Sequence, residues 1–331
     1  MTVIALLNEL GKDDVGVAGG KGANLGELIR ASVRVPPGFV VTADVYLGFL
    51  ESSGIGGQIE RLLSALDIKD GVALEGVAAE IKALITAVEM PPEVASGIPK
   101  AYREMGGGPV AVRSSATAED LAEASFAGQQ DTYLNIEGDG EVIAAVQKCW
   151  ASLFGARAIS YRAGTGFDHM KVGIAVVVQR MVQSERAGVM FTVHPVTNDD
   201  TKIVIEALYG LGEAVVSGLV TPDMYVVDKT SGAVVDRQVV PQEQEFIRRH
   251  QGQSGEEQNH WRDVDLGRRA KQKLSDEEIG ELATIGQRLE QHFGCPQDIE
   301  WAHENGLLYI VQARAVTTAS WRWPSPVIAE P

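Results

Sequence analysis

Apolar positions in the first hundred residues recur with helical spacing, which predicts amphipathic helices at 56–66, 76–88 and 92–105. In "GKGANLGELIRAS", Leu25, Leu28 and Ile29 share one helical face directly after a glycine cluster. The segment "RVPPGFVVTADVY" predicts a Pro-Pro-Gly turn, a short strand around 39–41 and a helix that begins after Thr42. The N-terminal part of the chain is therefore expected to be mainly helical.

Strand-like patterns dominate after residue 108. The apolar runs are 109–112, "DTYLNI", "GIAVVVQRMV", "AGVMFT", "KIVIEAL", "MYVVDK" and "AVVDRQVV", and "TSG" joins the last two as a hairpin. Between and after them we expect a small-residue loop at 114–130, one long helix over "EVIAAVQKCWASLFGARAISYR", a solvated polar stretch at 241–272, a helix at 275–293 and a final hairpin, "DIEWAHENGLLYIVQAR". A chain of 331 residues with this mixture predicts an α+β protein with domains at 1–184 and 185–318 and a linker or tail at 319–331.

Composition excludes several classes of function. Apolar residues make up 45% and charged residues 22%, as in a folded globular protein. The net charge of −16 would repel a phosphate backbone, so no nucleic-acid partner is expected and functional positive charge must be local. No apolar run is long enough to cross a bilayer, and the N-terminus lacks a signal-peptide pattern. Two cysteines that are far apart and lack a CxxC partner permit one disulfide, but they favour two free thiols in a reducing cytoplasm.

The segment "GGKGANLGEL" is a candidate anion cradle. Gly19, Gly20 and Gly22 would expose backbone N–H groups before a helix, and Lys21 would add a mobile ammonium. It is not a P-loop, because glycine stands where serine or threonine follows the lysine in that motif. Taken alone, a glycine-rich turn with a solvated lysine is the simpler interpretation.

In the segment "VAVRSSATAED", Arg113 directly follows an apolar strand. An arginine at a strand end can hold phosphate oxygens with its guanidinium, and the small-residue loop that follows, which includes Gly128, can close over a polyphosphate. The alternative is a structural ion pair between Arg113 and Glu119 or Asp120. The chemistry of these residues favours neither interpretation.

The run "VVVQRMV" is a candidate adenine site. A strand that ends near Gln179 would leave backbone groups to pair with the base, with Met181 and Val182 packing against the ring. An ordinary core strand is the simpler explanation of the same pattern, because many strands share it.

The final hairpin is a candidate magnesium site. A three-residue "ENG" loop would place Asp298 opposite Gln312 and Glu300 opposite Ile310, and would put Asp298, Glu300, Gln312 and Arg314 on one face. A two-residue "NG" loop would split this set. Two carboxylates and an amide oxygen beside an arginine suit Mg²⁺ that bridges phosphates, whereas the alternative is a solvated hairpin face.

Taken together, these segments resemble the nucleotide-binding part of the dikinase family, which includes phosphoenolpyruvate synthase, pyruvate phosphate dikinase and rifampin phosphotransferase. The resemblance covers about 15–318 and is most specific in "VAVRSSATAEDLAEASFAGQQDTYLNI". Further matching segments are "VPPGFVVT", "ASLFGARAISYR", "AGVMFTVHP" and "ALYGLGEAVVSGLVTPD".

The resemblance implies an ATP-grasp-like fold whose two lobes clasp ATP, with Mg²⁺ as the metal. Carried over by position, the implied roles are phosphate binding by Lys21 and Arg113, a lid loop containing Gly128 and Thr132, an adenosine site at Gln179, Met181 and Val182, Mg²⁺ binding by Glu300 and Gln312 with Asp298 beside them, and phosphate binding by Arg314. Catalysis would then be electrostatic, because cations neutralise the charge that develops on a departing phosphoryl group.

The sequence departs from the family in one respect. The family passes its phosphoryl group through a histidine in a Thr/Gly-rich segment of a swivelling domain, and none of the six histidines here lies in such a segment. We therefore expect an ATP-splitting part, forming AMP, that needs a histidine-carrier domain and an acceptor domain or subunit. Pyruvate, a rifamycin and a phenol stay open as final acceptors. The alternatives are a non-catalytic nucleotide-sensing subunit and a self-contained ATP-grasp kinase or ligase.

Overall fold

The computed structural model describes residues 2–117, 131–249 and 258–316, and these fall into two compact units. The first unit contains the described residues of Met1–Arg30, Val35–Met181 and Gln251–Asn259. The second contains those of Ala31–Arg34, Val182–His250 and His260–Pro331. The main change of unit thus falls between Met181 and Val182, three residues before the expected domain division at 184.

The first unit is a five-stranded sheet with helices. Its strands are β1 (Ile4–Leu6), β2 (Gly38–Val41), β3 (Val110–Ala116), β4 (Thr132–Ile136) and β5 (Ile174–Arg180). Its helices are α1 (Val15–Arg30), α2 (Ala43–Ser53), α3 (Gly56–Ser64), α4 (Gly71–Ala87), α5 (Pro92–Glu104), α6 (Asp139–Ser152) and α7 (Ala156–Thr165). All neighbouring strands are antiparallel in the order β1-β2-β5-β3-β4, so β5 is central.

The two faces of this sheet differ in chemistry. Alternate residues such as Phe39, Val112 and Val178 point into a large apolar core, where the Trp150 ring of α6 lies 4.9 Å from the Phe49 ring of α2. On the other face lies α1, whose Gly22 sits so close that a Cβ there would be 3.1 Å from Val40. We call this side the α1 face.

The remaining elements follow residue 181. The strands are β6 (Arg186–Phe191), β7 (Lys202–Tyr209), β8 (Asp223–Asp228), β9 (Val234–Gln238), β10 (Gln244–Arg248), β11 (Asn259–Asp263), β12 (Gln297–Glu304) and β13 (Leu307–Ala315). The helices are α8 (Glu213–Val216) and α9 (Asp276–Phe293). Six strands form an antiparallel sheet in the order β13-β12-β6-β7-β8-β9, and β10 and β11 form a separate ribbon.

Helix α9 packs on the apolar face of the six-stranded sheet. Its Gly286 approaches Met190 so closely that a Cβ would lie 3.0 Å from the sulfur. A capping box begins the helix, with the Ser275 hydroxyl accepting from the Glu278 N–H and the Glu278 carboxylate accepting from the Ser275 N–H. The opposite face of the sheet carries the acids of the final hairpin.

A buried ion pair ties β8 to the chain before α9. The Lys273 ammonium donates to Asp223 at 2.7 Å, and both side chains are completely buried. Asp223 also accepts from the Tyr225 hydroxyl and from the backbone N–H groups of Val240 and Lys273. The carboxylate is thus fully hydrogen-bonded, as a buried charge requires.

Several sequence-based expectations are corrected by the structure. The strand predicted to end at 112 continues through Ala116, so 114–116 belong to β3 and not to a loop. The single long helix is two helices, α6 and α7, separated at 153–155. The polar stretch at 241–272 contains the ribbon β10–β11. β1 was also missed, whereas the helix before Gly294 and the hairpin β8–β9 were predicted correctly.

Two further expectations concern the cysteines and the membrane. Cys149 and Cys295 are both free, as predicted, and the structure shows that both are buried. Among the helices of the three described ranges, none combines the length and apolarity needed to cross a bilayer.

Candidate functional site

In the first unit, four of the expected site residues lie on or beside the α1 face. Arg113 is the middle residue of β3 and stands directly opposite Thr132 of β4. Gln179 of β5 stands opposite Ala111, two residues before Arg113 and therefore on the same face. Lys21 lies on α1, which covers this face. The strand register and the packing of α1 on the sheet thus bring to one face residues that are up to 158 positions apart in the sequence.

The glycine cluster joins α1 to β3 through Ser115. Gly19 interrupts α1 with φ of 65°, and a Cβ there would lie 2.1 Å from the Ser115 carbonyl oxygen. The Ser115 hydroxyl accepts from the Gly22 N–H at 3.2 Å and donates to the Ala18 carbonyl at 2.8 Å. Ser115 therefore caps the helical segment that restarts at Gly20 and fixes it to β3, two residues beyond Arg113.

The position of Lys21 does not fit a solvated lysine on a loose turn. Its side chain is half-buried in the first turn after the break at Gly19. Burial raises the pKa of the Cys149 thiol, with the Asp131 carboxylate adding to the shift and the Lys21 charge opposing it. The Lys21 ammonium therefore lies close enough to the β3–β4 region for its charge to act there.

Other expected residues of this unit are differently placed. The Gln179 side chain is buried, and its amide donates to the Pro36 carbonyl at 3.3 Å. Because β5 is paired on both sides, the expectation of free backbone groups at Gln179 is wrong. The Met181 N–H donates to the Pro109 carbonyl at 2.9 Å. Gly128, Glu119 and Asp120 lie outside the described residues, so the lid loop and the alternative ion pair stay predictions.

In the second unit, Val182 packs in a small apolar cluster. It is 5% exposed and contacts Ala187 and Ala302, with Tyr309 and Val311 beside them. These neighbours make the surroundings of Val182 apolar, as the surroundings of an adenine ring would be. The role of Val182 in adenine binding stays a prediction.

The final hairpin places the expected acids and amide on one face, but its turn and its strand register differ from the predicted ones. The loop is the two-residue turn Asn305–Gly306, with φ of 52° and 76°, and not a three-residue loop. Asp298 stands opposite Arg314, and Glu300 opposite Gln312. The predicted pairing of Asp298 with Gln312 and of Glu300 with Ile310 is therefore wrong.

A β-bulge explains why the set nevertheless shares a face. Trp301 pairs with Ile310 and the adjacent Glu300 pairs with Gln312, so Val311 is an extra residue in β13. An extra residue reverses the alternation beyond it. The observed turn is one residue shorter than the predicted turn, and the bulge adds one residue to β13. The two differences compensate, so the same side chains still share a face.

On this face one acid is paired with an arginine, and two other side chains offer oxygen atoms as possible metal ligands. The Arg314 guanidinium donates to the Asp298 carboxylate at 2.8 and 2.9 Å. The half-buried Glu300 and Gln312 are cross-strand partners that offer a carboxylate and an amide oxygen. Within the described ranges, no group of three His, Cys, Asp or Glu side chains is arranged to hold a metal ion. This donor set fits Mg²⁺ that takes its other ligands from nucleotide phosphates and water.

Glu206 is a candidate residue that the sequence analysis missed. It lies on β7, and burial raises the pKa of its carboxyl, with the charge of Asp298 adding to the shift. Its carboxyl thus lies close enough to Asp298 for the charge of that acid to act on it. The only sequence signal was an acid within the apolar run "KIVIEAL".

The first unit carries cationic groups on helix α1 and strand β3, and the second unit carries a carboxylate–amide pair on its final hairpin. Cations of the first kind suit phosphate, and oxygen ligands of the second kind suit a divalent metal. The chain belongs to the family described as pyruvate phosphate dikinase, AMP/ATP-binding domain, which matches residues 15–328. The fold of this family is ATP-grasp-like, and its ATP-binding domain uses ATP with Mg²⁺.

Curated relatives are similar to nearly all of this chain. "Probable phosphoenolpyruvate synthase" of Methanothermobacter thermautotrophicus is 51% identical over 95% of this chain and 46% of the relative. The protein of the same name from Methanocaldococcus jannaschii is 50% identical over 96% of this chain and 27% of the relative. "Phosphoenolpyruvate synthase" of Pyrococcus furiosus is 44% identical over 95% and 44%, respectively. The chain therefore spans less than half the length of these relatives.

A solved structure gives a weaker likeness. D-alanyl-alanine synthetase A from Vibrio cholerae aligns over 73% of this chain and 54% of its own, with 9% identity and a TM-score of 0.28. These values are too low for residue positions to be compared.

Proposed function

We propose that this chain is the ATP-binding and phosphoryl-donating part of a dikinase-type phosphotransferase that acts in the cytoplasm. It converts ATP to AMP: the β-phosphoryl group passes to a histidine on a carrier domain outside this chain, and the γ-phosphoryl group passes to water and leaves as inorganic phosphate. An acceptor-binding domain or subunit then supplies the final acceptor. The observation that carries the proposal is the Glu300–Gln312 pair, which the Val311 bulge places on one face in a chain of the pyruvate phosphate dikinase family.

In this proposal each unit has its own task. Lys21 and Arg113 bind phosphate oxygens, and Thr132, directly opposite Arg113, stands at the start of the strand that follows the lid loop with Gly128. Gln179, Met181 and Val182 form the adenosine end of the site. The Gln179 amide donates to the Pro36 carbonyl, which fixes the side chain at this end.

The hairpin of the second unit supplies the metal ligands. Glu300 and Gln312 hold Mg²⁺, Asp298 lies beside them, and Arg314 reaches phosphate while it neutralises Asp298. When bound, Mg²⁺ supplies positive charge that offsets the charge growing on phosphate oxygens. Lys21 and Arg113 do the same from the first unit, so the side chains of the protein act by positioning and by charge.

Pyruvate is the acceptor that the comparisons support. The relatives at 44–51% identity are named as phosphoenolpyruvate synthases, a name that describes phosphorylation of pyruvate. A rifamycin and a phenol have no such support.

Phosphoryl transfer to a separate carrier tests the proposal. The full chain is mixed with Mg²⁺, ATP labelled in its β-phosphate and a histidine-carrier domain cut from a full-length relative. We expect acid-labile label on the carrier and formation of AMP, both of which are lost when the carrier histidine is replaced by alanine. Phosphorylation of a small acceptor by the chain alone would contradict the proposal and favour a self-contained kinase.

Two variants separate the proposal from a nucleotide-sensing role. For a sensor, Arg113→Ala and Glu300→Ala would only weaken binding. For the phosphotransferase, we expect both to lower the transfer rate by about 100-fold or more, with a smaller loss of nucleotide affinity, because their charges act mainly on the transition state. Equal losses in rate and affinity would contradict a catalytic role for these residues.

A further inference from the structure

The position of Gln312 depends on an irregular point in β13. From the turn to Ile310 the pairs are regular, and the extra residue Val311 then brings Gln312 opposite Glu300. If Val311 returned to regular pairing, Gln312 would move to the other face of the sheet. Whatever fixes the bulge therefore also fixes one of the two proposed metal ligands.

β13 is an edge strand, yet its outer backbone groups are not left to solvent next to the bulge. The Ile310 N–H donates to the Arg34 carbonyl oxygen at 2.9 Å. Arg34 belongs to the short segment 31–34, which is grouped with the second unit despite its distance in sequence. The segment thus acts as a local extension of the sheet immediately before Val311.

The side chain of Arg34 strengthens the same attachment. Its Nη1 donates to the Leu308 carbonyl at 3.2 Å, and the guanidinium carbon lies 5.9 Å from the centre of the Tyr309 ring. Together with the backbone bond, these contacts hold Leu308, Tyr309 and Ile310, the three residues that precede the bulge. The Arg34 side chain is exposed, so its replacement leaves no cavity in the core.

We propose that Arg34 is a positioning residue for the metal-binding hairpin: by holding 308–310 on the outer edge of β13, it keeps the Val311 bulge in place and Gln312 opposite Glu300. Arg34 contacts neither the metal nor the nucleotide in this proposal. The inference rests on the proposed metal role of Glu300 and Gln312. Outer partners that orient metal ligands commonly affect metal affinity by about tenfold or more, so an effect of measurable size is expected.

Metal binding in the presence of a nucleotide tests this inference. Mn²⁺ replaces Mg²⁺, a non-hydrolysable ATP analogue supplies the phosphates, and free Mn²⁺ is followed by electron paramagnetic resonance with the full chain. We expect Arg34→Ala to weaken Mn²⁺ binding about threefold to tenfold, while the affinity for the analogue without metal stays unchanged. Arg34→Lys, which keeps a cationic donor for the Leu308 carbonyl, should recover most of the loss.

Arg288→Ala is the matched control. Arg288 is also an arginine bonded to this segment, with its guanidinium donating to the Ser32 carbonyl at 3.4 Å, but it makes no such bond to 308–310. Unchanged Mn²⁺ affinity in Arg34→Ala, or an equal loss in Arg288→Ala, would overturn the positioning role while leaving the metal site intact. No nucleotide-dependent Mn²⁺ binding by the unsubstituted chain would overturn the proposed metal site and this inference together.

Discussion

At the scale of single residues, Gly19 shows how a local constraint places a functional group. The glycine cluster was recognisable in the sequence, but its partner Ser115 was not, because 96 residues separate the two positions. Gly19 is needed both for its positive φ and for its close approach to β3. Lys21 follows two positions later, so its location depends on that approach.

Replacement of Gly19 by alanine should destabilise the first unit. A Cβ at φ of 65° and 2.1 Å from the Ser115 carbonyl oxygen requires backbone movement, and we expect a loss of about 3 kcal/mol in the free energy of unfolding. Gly16→Ala in the same helix is the control, since nothing lies within 4 Å of that Cβ and alanine favours helix. Urea denaturation measures both, and similar stability of the two variants would refute the role given to Gly19.

Acid sensitivity of the first unit is expected at His169. Its pKa is lowered by burial and by the charge of Arg162, whose Nε donates to the His169 ring at 3.0 Å. The unfolded chain therefore binds a proton more readily. The resulting stability is complete above the unfolded pKa of about 6.5 and decreases as the pH falls through it.

The His169→Gln variant tests this sign. Glutamine keeps an acceptor for Arg162 but does not titrate, so the fall in melting temperature between about pH 7.5 and pH 5.5 should be smaller than in the unsubstituted chain. An equal or larger fall in the variant would contradict the assignment.

At the scale of elements, the final hairpin shows what sequence patterns can and cannot provide. Alternation predicted that the acids share one face, and the structure shows this arrangement, with Ile299 and Trp301 buried on the other face. The turn length was wrong, and the Val311 bulge that compensates for it has no marker in the sequence, because it depends on packing and on the Arg34 attachment. In the same way, β10 and β11 were missed because their polar composition matches a solvated loop.

The tie between β8 and the start of α9 predicts a large stability effect. Lys273→Met would leave the Asp223 carboxylate buried without its cation, and we expect a loss of about 3–5 kcal/mol in the free energy of unfolding. Lys202→Met, which breaks the more exposed pair with Asp228, should have little effect. Guanidinium unfolding followed by tryptophan fluorescence compares them, and a small loss for Lys273→Met would argue against this ion pair as a stabilising contact.

At the scale of the whole molecule, sequence motifs identified the family and the α+β class. Single residues, taken alone, gave much less information about the function. Arg113 was expected at a strand end and lies within β3, directly opposite Thr132. Ser115, two residues further along β3, accepts from the N–H of Gly22, the residue after Lys21. Charge composition predicted that no nucleic acid binds, but it identified no partner. The function proposed here therefore depends on family membership together with two groups of side chains, one in each unit.

Calorimetric titration of ATP into the full chain, with Mg²⁺ and then with EDTA, tests the central claim most directly. We predict that Mg²⁺ strengthens ATP binding at least about tenfold, that Glu300→Ala abolishes this gain, and that the exposed Glu281→Ala, an acid-to-alanine control on α9, retains it. ATP affinity that is independent of Mg²⁺ in the unsubstituted chain, or a full Mg²⁺ effect in Glu300→Ala, would contradict the claim.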